Sequence, residues 1–356
     1  MPTILIAILI FGLIIVVHEY GHFIVARKSG ITVEEFAVGM GPLLYGKKVG
    51  DTLYSLRAIP LGGYCKMLGA DEDSQEDVEG SFNSKSVYAR IAVISAGSIM
   101  NILLSFVLVF IFLSVDGFAD SMVGQTVDGM PAQQAGLLPG DRVISVNNTR
   151  IFVFGNIPQV LANTAGTPVD VVINRGGQRL TYVITPIYSD AGNAVIGFTP
   201  AVFSGLFGSN IYDLPRAGVF ATVQHSFFTI AHYIRALAGG LVQLITFNME
   251  LDDLSGPVGI VTMIGDVYEQ ATPYGAWVAV ASLLNFTALI SANLALFNLI
   301  PIPALDGGRL VFLFIELVRG KPVAPEKEGM VHLVGITLLI GLILVVTFND
   351  VLRLLF

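Results

Sequence analysis

Four stretches of this chain are apolar over enough consecutive residues to cross a lipid bilayer, and they limit its possible folds more than any other feature. Hydrophobic residues make up 54% of the chain and charged residues only 13%. A backbone surrounded by lipid must satisfy its own hydrogen bonds, so each stretch is expected to be a helix. The sequence therefore predicts a polytopic α-helical membrane protein with four transmembrane helices, at residues 1–26, 91–115, 277–303 and 331–350.

The segments between these helices differ in composition. Residues 27–90 predict a cytoplasmic or membrane-dipping β-rich loop, because short apolar runs alternate with glycines. Its strand edges could bind an extended substrate by strand addition, although a plain cytoplasmic hairpin domain fits the spacing equally well. Residues 121–188 have the composition of a small α+β domain. Residues 189–276 predict a linker with amphipathic helices, and residues 304–330 predict a second cytoplasmic loop.

The distribution of basic residues predicts the orientation in the membrane. Eight of the 19 Lys and Arg residues lie between residues 26 and 92, and four lie in the short loop 303–330. The much longer stretch from residue 116 to residue 275 holds only six. Because cytoplasmic loops carry the excess of positive charge, the first and third of these loops should face the cytoplasm and the long central region should lie outside.

The first apolar stretch contains a group of residues suited to metal chemistry. His18 and His22 are four residues apart, so a helix places both imidazoles on one face, where they can bind one zinc ion. Glu19 between them can act as the general base that activates a water. The alternative is that both histidines only pack in a helix core. Ionisable groups inside a membrane are costly without a partner, which favours the metal site.

A catalytic zinc needs a third protein ligand, and Asp306 is the best candidate. It follows two prolines at the end of the third apolar stretch, on the predicted cytoplasmic side where His18 and His22 also lie. Its alternative role is to cap the following helix. Other candidate ligands are less favoured because they are isolated or lie on the wrong side: His225, His232 and His332. Cys65, the single cysteine, is expected to pack rather than to react.

Residues 135–147, which read A-G-L-L-P-G-D-R-V-I-S-V-N, resemble the signature of PDZ domains. A predicted strand pair follows within the segment 121–188, with a turn at Gly176 and Gly177. PDZ domains bind peptide ends or extended strands at a sheet edge. The predicted fold is therefore completed by one inserted extracytoplasmic PDZ domain of the α+β class.

Three motifs together resemble the site-2 intramembrane zinc metalloproteases. They are H-E-Y-G-H at residues 18–22, N-L-I-P-I-P-A-L-D-G-G at residues 298–308, and G-S-I-M-N at residues 97–101, where Ser98 stands in place of a common proline. With the glycine-rich loop and the PDZ insert, the likeness covers nearly the whole chain. It is similar to the bacterial regulator-of-sigma-E protease type, in a form with a single PDZ domain.

The resemblance implies a zinc protease of the bacterial inner membrane with its active site toward the cytoplasm. It implies that His18, His22 and Asp306 bind Zn²⁺ and that Glu19 is catalytic. Asn101 and Asn298 match positions that handle substrate, although interhelical hydrogen bonding is an alternative role for both. Implied partners are the lipid bilayer, single-span membrane proteins such as anti-sigma factors or signal-peptide remnants, and a peptide at the PDZ groove.

Two other functions fit parts of the sequence. A catalytically silent membrane scaffold could recruit partners through the PDZ domain alone, but it has no need of four intact catalytic side chains. A metal-ion transporter would carry ionisable groups in several spans, and the second and fourth offer none. A net charge of −8 without a basic cluster argues against a nucleic-acid partner.

Overall fold

The computed structural model describes most of the chain and divides it into two compact units. The described residues are 2–70, 78–162, 164–207, 213–246 and 255–355. The first unit comprises residues 1–105 together with 237–356, and the second comprises residues 106–236.

The elements follow in chain order, with helices and strands segregated along much of the sequence. The helices are α1 (Pro2–Lys28), α2 (Val87–Asp116), α3 (Pro131–Gln134), α4 (Asn156–Leu161), α5 (Val219–Ile245), α6 (Pro257–Ala271), α7 (Ala276–Leu299), α8 (Asp306–Arg319) and α9 (Pro325–Leu355). The strands are β1 (Val33–Val49), β2 (Thr52–Met67), β3 (Phe118–Thr126), β4 (Arg142–Val146), β5 (Thr149–Arg150), β6 (Val169–Arg175), β7 (Gln178–Ile184), β8 (Ile187–Tyr188), β9 (Ala194–Val195) and β10 (Phe198–Phe203).

Four helices among the described residues are long and apolar enough to span a membrane, namely α1, α2, α7 and most of α9. The prediction of a polytopic helical membrane protein is thus confirmed. The third helix ends at Leu299 instead of continuing to residue 303, because a residue before proline avoids the helical region and Ile300 is extended before Pro301. The fourth begins earlier than predicted, at Pro325, since proline is favoured in the first turn of a helix.

The β-rich loop is a single long hairpin rather than several short strands. β1 and β2 are 17 and 16 residues long and pair antiparallel over most of their length. The glycines that suggested strand ends instead carry register shifts: Gly39 and Gly41 have φ of +85° and +80°, and Gly62 has +93°. A residue with positive φ lets pairing slip and continue, as in a β-bulge. The hairpin therefore bends without breaking.

Small residues let α1 and α2 cross at close range. A Cβ added to Gly21 on α1 would lie 2.4 Å from the carbonyl oxygen of Ala96 on α2, so this crossing requires glycine. Close contact through small residues is the usual way in which helices associate in membranes. Further toward the N-terminus, Ile10 and Ile14 on the same side of α1 pack against Ile264 of α6. These contacts fix the faces that α1 presents to its neighbours.

The segment 255–260, which was predicted to pack closely against another element, lies against α9. The carboxylate of Asp350 accepts hydrogen bonds from the backbone N–H groups of Gly256 and Gly259, at 3.2 and 2.8 Å. These amides belong to the N-terminal turn of α6, where no intrahelical acceptor exists. A Cβ on either glycine would come within 3.0 Å of Asp350. The fourth membrane helix thus caps α6.

The second unit contains an antiparallel sheet in the order β10-β3-β4-β6-β7, with β5 paired to β4, and two short helices, α3 and α4. Its core includes Val143, Val171 and Ile173, each nearly inaccessible to solvent. This arrangement agrees with the predicted inserted PDZ domain. The sheet extends past the predicted boundary of 121–188, because β8 and β9 form a small hairpin that returns the chain to pair β10 with β3.

The G-L-L-P-G-D motif of this domain is held by Asp141, whose side chain is buried. Asp141 accepts hydrogen bonds from the backbone N–H of Leu138 and from two nitrogens of Arg175, each at 2.7–2.8 Å. Burial alone would raise the pKa of Asp141, but these donors outweigh it and hold the pKa below its ordinary value. The loop before β4 is therefore tied to β6 by a charged pair.

Candidate metal centre

The side chains of His18, His22 and Asp306 converge at one point of the first unit. The Nε2 atoms of the two imidazoles are 3.2 Å apart. Asp306 Oδ2 lies 3.2 Å from His18 Nε2 and 3.4 Å from His22 Nε2. Among the described residues, this is the group of His, Cys, Asp and Glu side chains that could hold a metal ion. Two separate parts of the chain, as predicted, supply the three donors.

The donor set suits a zinc ion of the catalytic kind, which takes three protein ligands from His nitrogen and carboxylate oxygen and keeps one position open. Both histidines are more than nine-tenths buried. Asp306 Oδ2 is buried too, and no hydrogen-bond donor satisfies it among the described residues. An acceptor in this state is costly, and a cation held between it and the two imidazoles would remove the cost.

Helix α2 shapes the space around the two imidazoles. A Cβ on Gly97 would lie 2.4 Å from His22 Nε2 and 2.6 Å from His18 Cε1, so any larger residue would enter the centre. The backbone carbonyl of Val93, one turn earlier, accepts a hydrogen bond of 2.9 Å from His22 Nδ1. That bond leaves the lone pair on Nε2, which is the atom facing Asp306. Gly97 and Val93 therefore provide room and orientation.

The loop before α8 delivers Asp306 through a strained turn. Ala304 has φ of +83°, a left-handed conformation that is unfavourable for a residue with a Cβ. Its backbone N–H donates a 3.0 Å hydrogen bond to Nδ1 of His332 on α9. A Cβ on Gly335, one turn further along α9, would lie 2.3 Å from Pro303, so α9 packs directly on this loop. His332 thus supports the loop from outside the donor group.

Two glycines after Asp306 have a steric role. A Cβ on Gly307 would lie 2.0 Å from the carbonyl oxygen of Ile300, and one on Gly308 would lie 2.6 Å from that of Ile302. The chain between α7 and α8 folds back on the first turn of α8, and only glycine permits that approach. Asp306 is the first residue of this helix, so its carboxylate sits at the positive end of the helix dipole.

Glu19 lies at the wall of a cavity of about 300 Å³. The cavity is lined by Ile15, His18, Glu19, Gly62, Gly63, Leu294, Asn298, Ala304, Leu305 and Asp306. A Cβ on Gly63 would lie 3.4 Å from Glu19 Cγ and 2.9 Å from the carbonyl oxygen of Ala37, so strand β2 approaches α1 closely here. The backbone N–H of Cys65 is within hydrogen-bonding reach of the Glu19 carboxylate. The cavity therefore brings together a carboxylate, the donor group and an extended backbone.

Cys65 itself points away from reactivity. Burial, and secondarily the negative charge of Glu19, raise the pKa of the Cys65 thiol to about 12. A thiol in that state is protonated at neutral pH and is a poor nucleophile. This agrees with the packing role expected from the sequence.

The two asparagines named from the sequence differ in their surroundings. Asn298 lines the cavity, with its amide nitrogen 3.4 Å from His18 Nε2. Asn101 is fully buried on α2, and its amide nitrogen lies 3.4 Å from the other ring nitrogen of His18, Nδ1. Only Asn298 is thus placed on the open side of the donor group.

The remaining histidines take part in packing within other regions. In the second unit, His225 of α5 stacks on Phe118, with ring centroids 3.8 Å apart. His232 lies two turns further along α5, and its Nδ1 is 2.6 Å from the amide nitrogen of Asn156. Sequence reasoning missed the supporting roles of Val93, Ala304 and His332. The positive φ of Ala304 and the carbonyl of Val93 leave no sequence signal, whereas His332 was noticed only as an unlikely ligand.

Comparisons with known proteins agree with this centre. The family model described as peptidase family M50 matches residues 6–342. A protein of Clostridium perfringens, named as a candidate zinc metalloprotease, is 37% identical, and the match covers 98% of each chain. The regulator of sigma-W protease RasP of Bacillus subtilis is 31% identical over 99% of each chain.

One solved structure, the PDZ domain of an SdrC-like protein from Listeria monocytogenes, is 18% identical with a TM-score of 0.22. The match covers 23% of this chain and 88% of that one. The family match spans nearly the whole chain and includes both segments that supply the donor group. The chain therefore belongs to peptidase family M50, the site-2 proteases, and is an integral membrane zinc metalloprotease.

Proposed function

We propose that this chain hydrolyses peptide bonds within the transmembrane segments of single-span proteins that have already been trimmed outside the membrane. The observation that carries the proposal is the position of Glu19 beside the converging donors of His18, His22 and Asp306, at the wall of a cavity that also reaches strand β2. A base, a candidate metal position and an extended backbone next to an open space are the parts that peptide hydrolysis requires.

In this proposal His18, His22 and Asp306 hold the zinc ion. Zinc, when bound, supplies a Lewis acid that acidifies a water molecule and polarises the scissile carbonyl. The protein supplies the fixed geometry around it. His22 is oriented by the Val93 carbonyl, and the Ala304 turn aims Asp306 at the two imidazoles.

Glu19 acts as general base and then as general acid. Its carboxylate takes a proton from the water as the water oxygen bonds to the scissile carbonyl carbon. It then delivers that proton to the leaving nitrogen as the carbon–nitrogen bond breaks. The Cys65 N–H near the Glu19 carboxylate limits its rotation toward α1, so that the carboxylate stays directed at the cavity. The Asn298 amide lines the same cavity and is suited to hydrogen-bond the carbonyl oxygen of the substrate.

The substrate must unwind before it is cut, because a helix shields its own carbonyl groups in lipid. The extended backbone of β2 at Gly62 and Gly63 lies at the cavity wall, where an unwound segment could pair with it. Absence of a Cβ at these two positions leaves space for a second strand. The hairpin is thus proposed to hold the substrate in extended form next to Glu19.

The substrate class and the location follow from the same line of reasoning. A relative is named a regulator of sigma-W protease, which supports anti-sigma factors as substrates, with signal-peptide remnants as a second class. The charge distribution of the loops supports a bacterial inner-membrane location with the active site toward the cytoplasm and the PDZ domain outside. The PDZ domain would then exclude bulky outer domains or bind the trimmed end of the substrate.

The test is cleavage of a co-expressed single-span substrate, with zinc content measured on the purified protein. Glu19→Gln should retain zinc and lose cleavage, because Gln cannot carry the proton. Glu326→Gln, an exposed carboxylate on α9, is the matched control and should cleave normally. Cleavage by Glu19→Gln would exclude Glu19 as the base. A wild-type protein without stoichiometric zinc and without cleavage would favour the silent-scaffold alternative.

A further inference from the structure

Asn101 is close to the donor group but has no access to the cavity. It is 0% exposed on α2, and its backbone carbonyl accepts a 2.8 Å hydrogen bond from Ser291 of α7. Its side-chain amide faces His18 Nδ1 at 3.4 Å, while its Oδ1 atom is buried and has no hydrogen-bond partner among the described residues. A residue in this position contacts a candidate ligand and cannot contact substrate.

The proposed role of His18 sets a requirement on its other ring nitrogen. The Nε2 atom faces Asp306 Oδ2 and Asn298, so Nε2 must carry the lone pair if His18 is a ligand. The hydrogen of the neutral ring is then on Nδ1, which needs an acceptor. His22 satisfies the same requirement by donating from Nδ1 to the Val93 carbonyl. For His18, the neighbouring acceptor is the Asn101 side chain.

The amide must be turned for this bond to form. With the nitrogen of Asn101 toward His18, an N–H of the amide would face the N–H of the ring. The two ends of an amide group have nearly the same size, and the hydrogen-bonding partners decide which end faces which group. Rotation of the Asn101 amide by half a turn places Oδ1 against Nδ1–H and gives that oxygen the donor it lacks.

We propose that Asn101 is a positioning residue for the metal ligand His18. Its Oδ1 accepts the hydrogen bond from Nδ1–H and fixes both the tautomer and the ring orientation that direct Nε2 toward the ion. This inference rests on the proposed function, because it takes His18 as a ligand. Groups that orient a ligating histidine typically change metal affinity by about 10- to 100-fold when they are removed. A substrate contact would change the KM instead.

The experiment uses the full-length protein in detergent, with Zn²⁺ affinity measured by competition against a fluorescent chelator. Asn101→Leu removes the acceptor while it keeps the side-chain volume similar, and it should weaken Zn²⁺ binding by about 10- to 100-fold. Asn101→Asp retains an oxygen acceptor in the same place and should bind within a few-fold of wild type. Ser105→Ala, one turn further along α2 and equally buried, is the control for loss of a buried polar group and should bind normally.

Absorption spectra of Co²⁺-loaded protein add a second readout. Asn101→Leu should alter the visible bands of the bound ion, whereas Asn101→Asp should resemble wild type. Unchanged Zn²⁺ affinity in Asn101→Leu with a raised KM would overturn the proposal in favour of substrate binding. Affinity as weak in Asn101→Asp as in Asn101→Leu would also overturn it. Failure of the wild-type protein to bind Zn²⁺, or normal binding by His18→Ala, would instead reject the proposed function itself.

Discussion

Arg90 at the beginning of α2 forms an ion pair with Glu316 on α8, and both side chains are largely buried. The pair connects the two helices that surround the donor group. Asp306 is the first residue of α8, while Val93, one turn after Arg90, orients His22 through its carbonyl. Arg90 also donates from Nε to the carbonyl of Lys85, which fixes its guanidinium. The distance between Asp306 and the histidines thus depends on a contact made outside the centre.

Breaking this ion pair should weaken metal binding without touching a ligand. Replacing Arg90 with Gln leaves Glu316 as a buried charge without its partner, at a cost of about 3 kcal/mol. The helix α8 would shift to hydrate that carboxylate, and Asp306 would move with it. We expect lower zinc content and lower substrate cleavage in Arg90→Gln. The measurements are metal analysis and cleavage of a co-expressed single-span substrate.

The double exchange Arg90→Glu with Glu316→Arg is the control for this pair. It restores opposite charges in the same place and should recover part of the zinc content that either single change loses. Equal zinc content in the wild type and in Arg90→Gln would show that α8 is held by its other contacts alone. In that case the ion pair would have no effect on the centre.

Much of the architecture could be predicted because its signals are local. Apolar length identifies α1, α2, α7 and α9, and the spacing of His18 and His22 places them on one helix face. Asp306 required a longer inference that combined the orientation of the loops with the need for a third ligand. That inference succeeded because both arguments point to the same side of the membrane.

The rest depends on contacts between residues that are far apart in the sequence. The pairing of β10 with β3 joins Phe198 to Thr126, and the intervening turns are typical of a linker. The long hairpin β1–β2 appeared as several strands because positive-φ glycines are typical of strand ends as well as bulges. Gly97 and Val93 matter only through their approach to His22, more than 70 residues earlier in the chain.

Substitution of Gly97 by alanine should displace the imidazoles. The added Cβ would lie 2.4 Å from His22 Nε2, the atom that faces Asp306. Overpacking of this kind costs about 1–3 kcal/mol, so Zn²⁺ affinity should fall by about 10- to 100-fold. Chelator competition on the purified protein measures the change. Gly12→Ala on α1 is the matched control, because a Cβ there meets nothing within 4 Å, and it should bind Zn²⁺ as the wild type does.

The strained turn at Ala304 should respond in opposite ways to a smaller and a larger residue. Glycine adopts φ of +83° freely, so Ala304→Gly should keep the turn and retain both zinc and cleavage. A β-branched side chain is disfavoured at positive φ, so Ala304→Val should destabilise the turn by about 1–2 kcal/mol and lower Zn²⁺ affinity. Thermal unfolding and chelator competition measure the two effects. Equal affinity in both variants would mean that the turn does not determine the position of Asp306.

His332 should matter through the same turn. Its Nδ1 accepts the Ala304 N–H, and a leucine in its place would leave that amide without the acceptor. We expect His332→Leu to lower Zn²⁺ affinity, although His332 lies outside the donor group. Combining His332→Leu with Ala304→Gly should give less than the sum of the separate effects, because both changes act on one backbone segment. Strict additivity of the two effects would place His332 in a separate role.

The Asp141–Arg175 pair should make the stability of the sheet domain depend on pH. Because Arg175 and the Leu138 N–H hold the pKa of Asp141 below its ordinary value, the carboxylate stabilises the folded domain above the ordinary aspartate range. That contribution should be lost as the pH falls through the lowered pKa of the folded state, below about pH 4. Proteolysis of the full-length protein by an acid-active protease should therefore accelerate within this domain only below that range.

The corresponding variant tests the same pair at neutral pH. Asp141→Asn places an amide where Arg175 requires an anion, so backbone amides of β4 and β6 should exchange hydrogen about 10- to 100-fold faster than in the wild type. Asp170→Asn, an exposed residue on β6, is the control and should exchange normally. In Asp141→Asn the acceleration of proteolysis below about pH 4 should also disappear, since the titrating group is gone. If it persisted, another carboxyl group would be responsible for the acid sensitivity of the domain.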